Sequence, residues 1–262
     1  MVDAGHEILM PENISYLDWV ASLSCVFSIF FDMNQPSVFI SGASKGIGLA
    51  TAKKYYSEGF SVGICARGEA ALAAAQTDMP ELKTYLCDVS DKDQVKALGQ
   101  RVSKELGPLT VLINNAGAYL PGSIVDEGDE VYEKMMAVNM NSAYYLTKSL
   151  LPGMLEAGTG AIVNMASIAS LDAYPGGGSY SIAKFALLGF SKNLRFELKD
   201  KGIKVISVLP GAVLTDSWAG YTGPEDRLMP AEDIANIIFS TTSLSGRTVV
   251  EDIILRPQLG DL

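Results

Sequence analysis

From residue 36 onward, short apolar runs rich in β-branched residues alternate with longer helical stretches. SVFISG at 37–42 has strand character and GIGLATAKKYYSEG is helical. SVGICAR at 61–67 is a second strand, followed by an alanine-rich helix. KTYLCDV closes a third strand at Val89, and LTVLINNAG at 109–117 is a fourth. AIVNMAS at 161–167 and KVISVLPG at 204–211 are further strands, each preceded by a long helix, and VVEDIIL at 249–255 is the last. Continuous apolar strands separated by helices mean a parallel sheet covered on both faces. Right-handed crossovers then give a doubly wound, Rossmann-like α/β fold of about seven strands. No repeat or low-complexity linker divides this region, so residues 36–262 are expected to form one domain. Ligands of such sheets bind beyond the carboxyl ends of the strands, which is where chemistry is sought.

Residues 1–35 break the pattern. They contain five acids (Asp3, Glu7, Glu12, Asp18 and Asp32) and no lysine or arginine, the first lysine being Lys45. WVASLSCVFSIFF at 19–31 is apolar but shorter than the roughly 20 residues that span a bilayer, and it lacks a basic start. A membrane anchor is disfavoured. We expect the functional domain to begin near Met33, with an N-terminal extension of unknown role before it.

Composition narrows the classes of function. The formal net charge of −10 disfavours phosphate backbones, so no nucleic-acid partner is expected. Three widely spaced cysteines, Cys25, Cys65 and Cys87, fit reduced thiols in a cytoplasmic protein better than a disulfide framework or a zinc site. His6 is the one histidine, so a histidine-based triad or metal site is not expected, and no metal is called for.

Two features suggest the chemistry. SGASKGIG at 41–48 joins the first strand to a helix with the spacing Gly42-x-x-x-Gly46-x-Gly48. Glycines give the tight turn and leave room for a pyrophosphate, and the helix N-terminus offers N–H groups and a favourable dipole. The other feature is Tyr180 with Lys184 four residues on. The same spacing recurs at Tyr144–Lys148, so spacing alone does not choose. Thirteen residues before Tyr180 stands Ser167, whereas thirteen before Tyr144 stands Val131.

SGASKGIG, NNAG at 114–117, Ser167, Tyr180-x-x-x-Lys184, Asn139 in AVNMNSAYY and PGAVLT at 210–215 together resemble the short-chain dehydrogenase/reductase family. The resemblance covers roughly residues 36–256. It implies that Ser167, Tyr180, Lys184 and Asn139 are catalytic: Tyr180 the proton donor, Lys184 its activator, Ser167 the group that orients the substrate oxygen, and Asn139 the holder of a water linking Lys184 to solvent. It implies that a dinucleotide is bound by Gly42, Ser44, Lys45, Gly46, Ile47, Gly48, Arg67, Asp88, Val89, Asn115, Ala116, Gly117, Tyr180, Lys184, Pro210, Gly211, Val213 and Thr215. A lysine on the same helical face favours the phenolate of a tyrosine whose free pKa is near 10. The second strand ends in Ala66 and Arg67 with no acid, and Lys45 adds a second cation, so NADP(H) is preferred over NAD(H).

The segment DSWAGYTGPEDRL at 216–228 has glycines and aromatics and is expected to be a lid. Ile168, Ala169, Tyr174 and Trp218 are candidate substrate contacts, with Ala118 and Tyr119 nearby. Ser170 is expected to cap or to touch substrate. The expected reaction is NADPH-dependent hydride transfer between the nicotinamide and a small-molecule carbonyl or secondary alcohol. Alternatives are an NAD-dependent alcohol dehydrogenase of the same fold or a 3-oxoacyl-thioester reductase. Apolar residues on several faces of the helices carrying Tyr144 and residues 185–194, and the pairing of related proteins through these helices, predict a homodimer or homotetramer.

Overall fold

Alternate residues of a strand face opposite sides of its sheet, and the first strand sorts its side chains accordingly. In a computed structural model describing residues 35–262, β1 (Ser37–Ser41) sends Val38 and Ile40 into one apolar cluster and Phe39 into another. The expectations about residues 1–34 lie outside the described residues. β2 (Ser61–Ala66), β3 (Lys83–Leu86), β4 (Val111–Asn114), β5 (Gly160–Met165), β6 (Ile203–Pro210) and β7 (Asp252–Leu255) complete a seven-stranded sheet in the order β3-β2-β1-β4-β5-β6-β7. Every pairing is parallel. This is the Rossmann-like doubly wound sheet that the alternating pattern predicts.

One cluster packs Val38, Ile40, Val111, Ile113 and Ile206 against α1 (Gly46–Ser57) and α7 (Ala231–Thr242), through Tyr55, Ile234 and Ile238. The opposite cluster packs Phe39, Leu112, Ile162 and Val205 against α3 (Lys92–Leu106), α5 (Ser142–Ala157) and α6 (Gly178–Leu198). α2 (Glu69–Asp78) follows β2, and α4 (Asp129–Met136) runs through a π-helical turn at Ala137–Asn141 into α5.

A buried polar chain fixes α5 and α6 to the sheet. Asn114 Nδ2 donates to Thr147 Oγ1 at 2.9 Å and to Asn164 Oδ1 at 2.7 Å. Asn164 Nδ2 donates in turn to Ser191 Oγ at 2.8 Å. Asn114 and Asn164 are register partners on β4 and β5, while Thr147 and Ser191 lie on α5 and α6. Such directional bonds in a dry interior select one register and one helix placement. The strand order reverses between β1 and β4, so the crevice of a doubly wound sheet opens there.

Candidate active site

The glycine turn is built so that backbone, not side chains, lines the crevice. Gly42 has φ +65°, and a methyl added to it would lie 2.6 Å from Ala116 Cα. A methyl on Gly48 would lie 2.5 Å from Asn115 Nδ2. Asn115 stitches this turn to β4: its Nδ2 donates to the carbonyls of Ser41 at 3.0 Å and Gly42 at 2.9 Å, and its amide donates to Ser41 Oγ at 3.1 Å. Its side chain is thus committed to holding the turn. α1 starts at Gly46 with no side-chain cap and no acid in its first turn. Uncapped amides beside missing side chains suit an anionic group, so these residues fit the pyrophosphate of a dinucleotide. Gly42→Ala is expected to destabilise the fold by about 2–4 kcal/mol, from left-handed strain plus the clash with Ala116. Chemical denaturation checks this.

The neighbouring strand ends add charge. Arg67 is exposed just past β2, and Lys45 pairs with Asp216. Asp88 lies past β3, where the hydroxyl and amide of Ser90 hold its carboxyl below the usual range, with Arg67 helping. Val89 is half-buried beside it. Ser44 is half-buried in the turn, and Ile47 packs on the core. Ala116 and Gly117 follow β4, and a methyl on Gly117 would lie 3.0 Å from Asn139 Oδ1 and 3.6 Å from Lys184 Nζ.

Ser167 follows β5 and caps a 3-10 turn at Ile168–Ser170. Its Oγ accepts from the Ala169 amide at 3.2 Å, and Ser170 Oγ accepts from the Ser167 amide at 3.3 Å. Ser170, left between capping and substrate contact by the sequence, therefore caps. Tyr180 and Lys184 stand on the first turns of α6. Burial raises the pKa of Tyr180 above the usual tyrosine value, with the neighbouring Ser167 hydroxyl opposing the rise and Tyr119 adding to it. Lys184 Nζ is buried, donates to the Met165 carbonyl at 2.7 Å, and is pushed down by burial to about 8. In the protein alone, burial is the largest influence on the Tyr180 hydroxyl.

Tyr144–Lys148 shows what spacing alone produces. Lys148 Nζ lies 5.5 Å from the Tyr144 ring centroid, and Lys184 Nζ lies 5.7 Å from that of Tyr180. The two pairs differ in surroundings. Tyr144 packs against Tyr145 on its own helix and Phe190 on α6, whereas Tyr180 stands near the Ser167 hydroxyl at a strand end.

Asn139 lies in the π-helical turn, a kind of irregularity frequent at functional sites. Its carboxamide is fully engaged: Nδ2 donates to Ala118 O at 3.0 Å and Met135 O at 3.1 Å, and Oδ1 accepts from the Ala118 amide at 3.2 Å. The side chain clasps the backbone after β4, beside Lys184.

Pro210, the last residue of β6, is buried, and Gly211 after it is half-buried. Val213 directs its side chain into the core, which leaves its backbone for any cofactor contact. Thr215 Cγ2 lies 3.1 Å from where a Gly46 methyl would sit, so this loop closes onto the glycine turn. The ends of the following segment are zipped by Leu214 N to Met229 O at 2.9 Å and Met229 N to Ala212 O at 3.0 Å. Within it Trp218 packs edge-on against Tyr221 at 5.6 Å. Among the substrate candidates, Ala169 is buried, Ile168 half-buried, and Tyr174 exposed and coupled to Tyr119, which itself sits edge-on to Tyr180 at 5.0 Å. Tyr119 thus touches the site more directly than the sequence alone reveals.

Residues 36–225 match the short chain dehydrogenase family. The chain is 34% identical over 198 residues to 3beta-hydroxysteroid dehydrogenase 2 of Eggerthella lenta, covering 72% of this chain and 75% of that one. Its fold is similar to that of a single-substitution variant of actinorhodin polyketide ketoreductase with NADPH, with TM-score 0.81, 28% identity, and coverage of 87% and 98%. It is also similar to L-sorbose reductase from Gluconobacter frateurii complexed with NADPH and L-sorbose, with TM-score 0.79, 27% identity, and coverage of 85% and 95%. The chain belongs to the short chain dehydrogenase family, oxidoreductases that act on carbonyl and alcohol groups.

Proposed function

We propose that the protein is an NADPH-dependent carbonyl reductase, reversible as an alcohol dehydrogenase, with Tyr180 as general acid and base. The observation that carries this reading is the convergence of Ser167, Tyr180 and buried Lys184 at the strand ends that also hold the glycine turn. A nicotinamide cofactor held by the glycine turn would supply and accept the hydride. The chain's own residues bind, orient and move a proton. Ser167 Oγ holds the substrate oxygen beside the Tyr180 hydroxyl, and Tyr180 donates its proton to that oxygen as negative charge develops there. Burial keeps Tyr180 protonated near neutral pH, which suits donation in the reductive direction. Lys184, cationic below about pH 8, stabilises the phenolate left behind. Asn139 fixes the backbone at Ala118 and Gly117 against which Lys184 rests.

The preference for NADP(H) rests on Arg67 and Lys45. Lys45 is held by Asp216 in an exposed pair worth about 0–1 kcal/mol, so a 2′-phosphate competes for it readily. Arg67→Ala is expected to weaken NADPH binding by roughly 10–100-fold while NADH binding changes by less than about threefold. Fluorescence titration of both cofactors checks this, and wild-type affinity for NADH equal to that for NADPH would overturn the cofactor assignment.

Two further parts of the reading have structural support. The segment 216–228, pinned at its ends by Leu214 and Met229 and carrying the Trp218–Tyr221 pair, acts as a lid over the substrate. Exposed Tyr144, Ile182, Phe185 and Phe196 on α5 and α6 support a homodimer or homotetramer. No helix among the described residues is long and apolar enough to cross a membrane.

A further inference from the structure

Helix α6 carries Tyr180 and Lys184 but begins without a cap of its own. Its N-cap is Gly177, which has no side chain to offer, and no acid lies in its first turn. α3 shows the local solution used elsewhere in the chain: Asp91 accepts from the amides of Asp93 and Gln94. The start of α6 is served instead by a carboxylate 52 residues away from Ser179 in sequence, that of Glu127. It accepts from Ser179 Oγ and, at 3.5 Å, from the Ser179 amide. Ser179 is buried and immediately precedes Tyr180.

The carboxylate is lodged between two glycine backbones. A methyl on Gly122 would lie 2.9 Å from Glu127 Oε2, and one on Gly178 would lie 2.7 Å from the same atom. Gly178 has φ +41°, in the region that favours glycine. The Gly122 amide donates to Gly176 O at 3.1 Å, a second stitch between the same two segments. Tyr119, three residues before Gly122, rests its ring edge on Tyr180. The segment from Tyr119 to Glu127 is therefore fastened to the entrance of α6 at several points, all close to Tyr180.

We propose that Glu127 is a positioning residue for the reaction. Its carboxylate fixes the first turn of α6 so that the Tyr180 hydroxyl meets Ser167 and the reacting oxygen. This rests on the reading of Tyr180 as the proton donor. A reacting group displaced by about 1 Å can cost on the order of 100-fold in rate, so a clamp one residue away has leverage without touching substrate.

The test compares Glu127→Ala, Glu127→Gln and wild type as full-length proteins, by steady-state reduction of a carbonyl panel, NADPH titration and amide hydrogen exchange. Glu127→Ala is expected to lower kcat by about 10–50-fold, with NADPH affinity within about twofold. Amides 178–182 should exchange faster by roughly tenfold, with the sheet unchanged. Glu127→Gln keeps a carbonyl acceptor for Ser179 and should recover kcat to within about fivefold of wild type. If Glu127→Ala does not fold, Glu127→Asp, one methylene short, should show the same loss in smaller degree. Unchanged exchange at 178–182, unchanged kcat, a Gln variant as poor as Ala, or a kcat loss matched by lost NADPH binding would each overturn the proposal. A wild-type protein that binds NADPH but reduces no carbonyl sinks the functional reading, while the exchange result still decides whether Glu127 holds the helix.

Discussion

Tyr180→Phe is expected to lower kcat for carbonyl reduction by about a thousandfold, with NADPH affinity within roughly twofold of wild type. The ring stays, so its edge contact with Tyr119 and its place on α6 are preserved. Only the hydroxyl that meets Ser167 is lost. A positioned proton donor contributes about 10²–10⁴-fold. Stopped-flow measurement of NADPH oxidation in a single turnover checks the effect on chemistry apart from product release. The matching change at Tyr144, Tyr144→Phe, should leave the rate within about twofold, because that hydroxyl faces no strand end.

The second large effect separates activity from stability. Lys184→Met should reduce kcat by roughly 100–1,000-fold, since the cation that stabilises the phenolate is gone. Yet the same lysine strains the fold. Burial lowers its pKa from the usual 10.5 to about 8. Between those values the unfolded chain binds more protons than the folded one, so folding stability rises with pH through that window. Below about pH 8 the cost of burying the ammonium is fully present; above 10.5 it is gone. The single hydrogen bond to Met165 O offsets part of it, by about 1–2 kcal/mol. Lys184→Met is therefore expected to be at least as stable as wild type at pH 7, with an advantage that shrinks as pH rises from 8 towards 10.5. Urea denaturation across that range measures it. A Tm at pH 7 well below wild type would show that the ammonium is not under desolvation stress.

The central strands were legible because each is a short apolar run, and a sheet buried on both faces needs such runs. β1 to β7 fall on those runs, but β3 ends at Leu86 rather than Val89 and β7 begins at Asp252 rather than Val249. The glycine turn was legible for a different reason, since Gly42 takes a backbone angle and a spacing from Ala116 that other residues cannot share. Tyr180 and Lys184 stood out through Ser167, thirteen residues away, which lies just past β5 in the fold. The two Tyr–Lys pairs have nearly the same geometry, and only one meets a serine.

What escaped sequence reading depends on the crossing of distant segments. Nothing local to Glu127 marks it as the cap of a helix beginning at Gly178, because the two are joined only when the segment after β4 folds across α6. Lys45 and Asp216 are paired across 171 residues for the same reason. The π-helical turn at Asn139 has no composition signal of its own, and it is there that the side chain clasps Ala118. Val213 matched a family position by its motif, but its side chain completes the core. Hydrophobic character alone does not say which neighbour an apolar residue will reach.

The measurement that bears most directly on the whole account follows the hydride. Wild-type protein is incubated with NADPH dideuterated at C4 and a panel of ketones and aldehydes, and the products are examined by mass spectrometry. Deuterium should appear at the carbinol carbon of at least one product, in step with NADPH consumed, and Tyr180→Phe should form that product about a thousandfold more slowly. No deuterium in any alcohol, or equal labelling rates in wild type and Tyr180→Phe, would contradict the assignment of this site as a Tyr180-dependent carbonyl reductase.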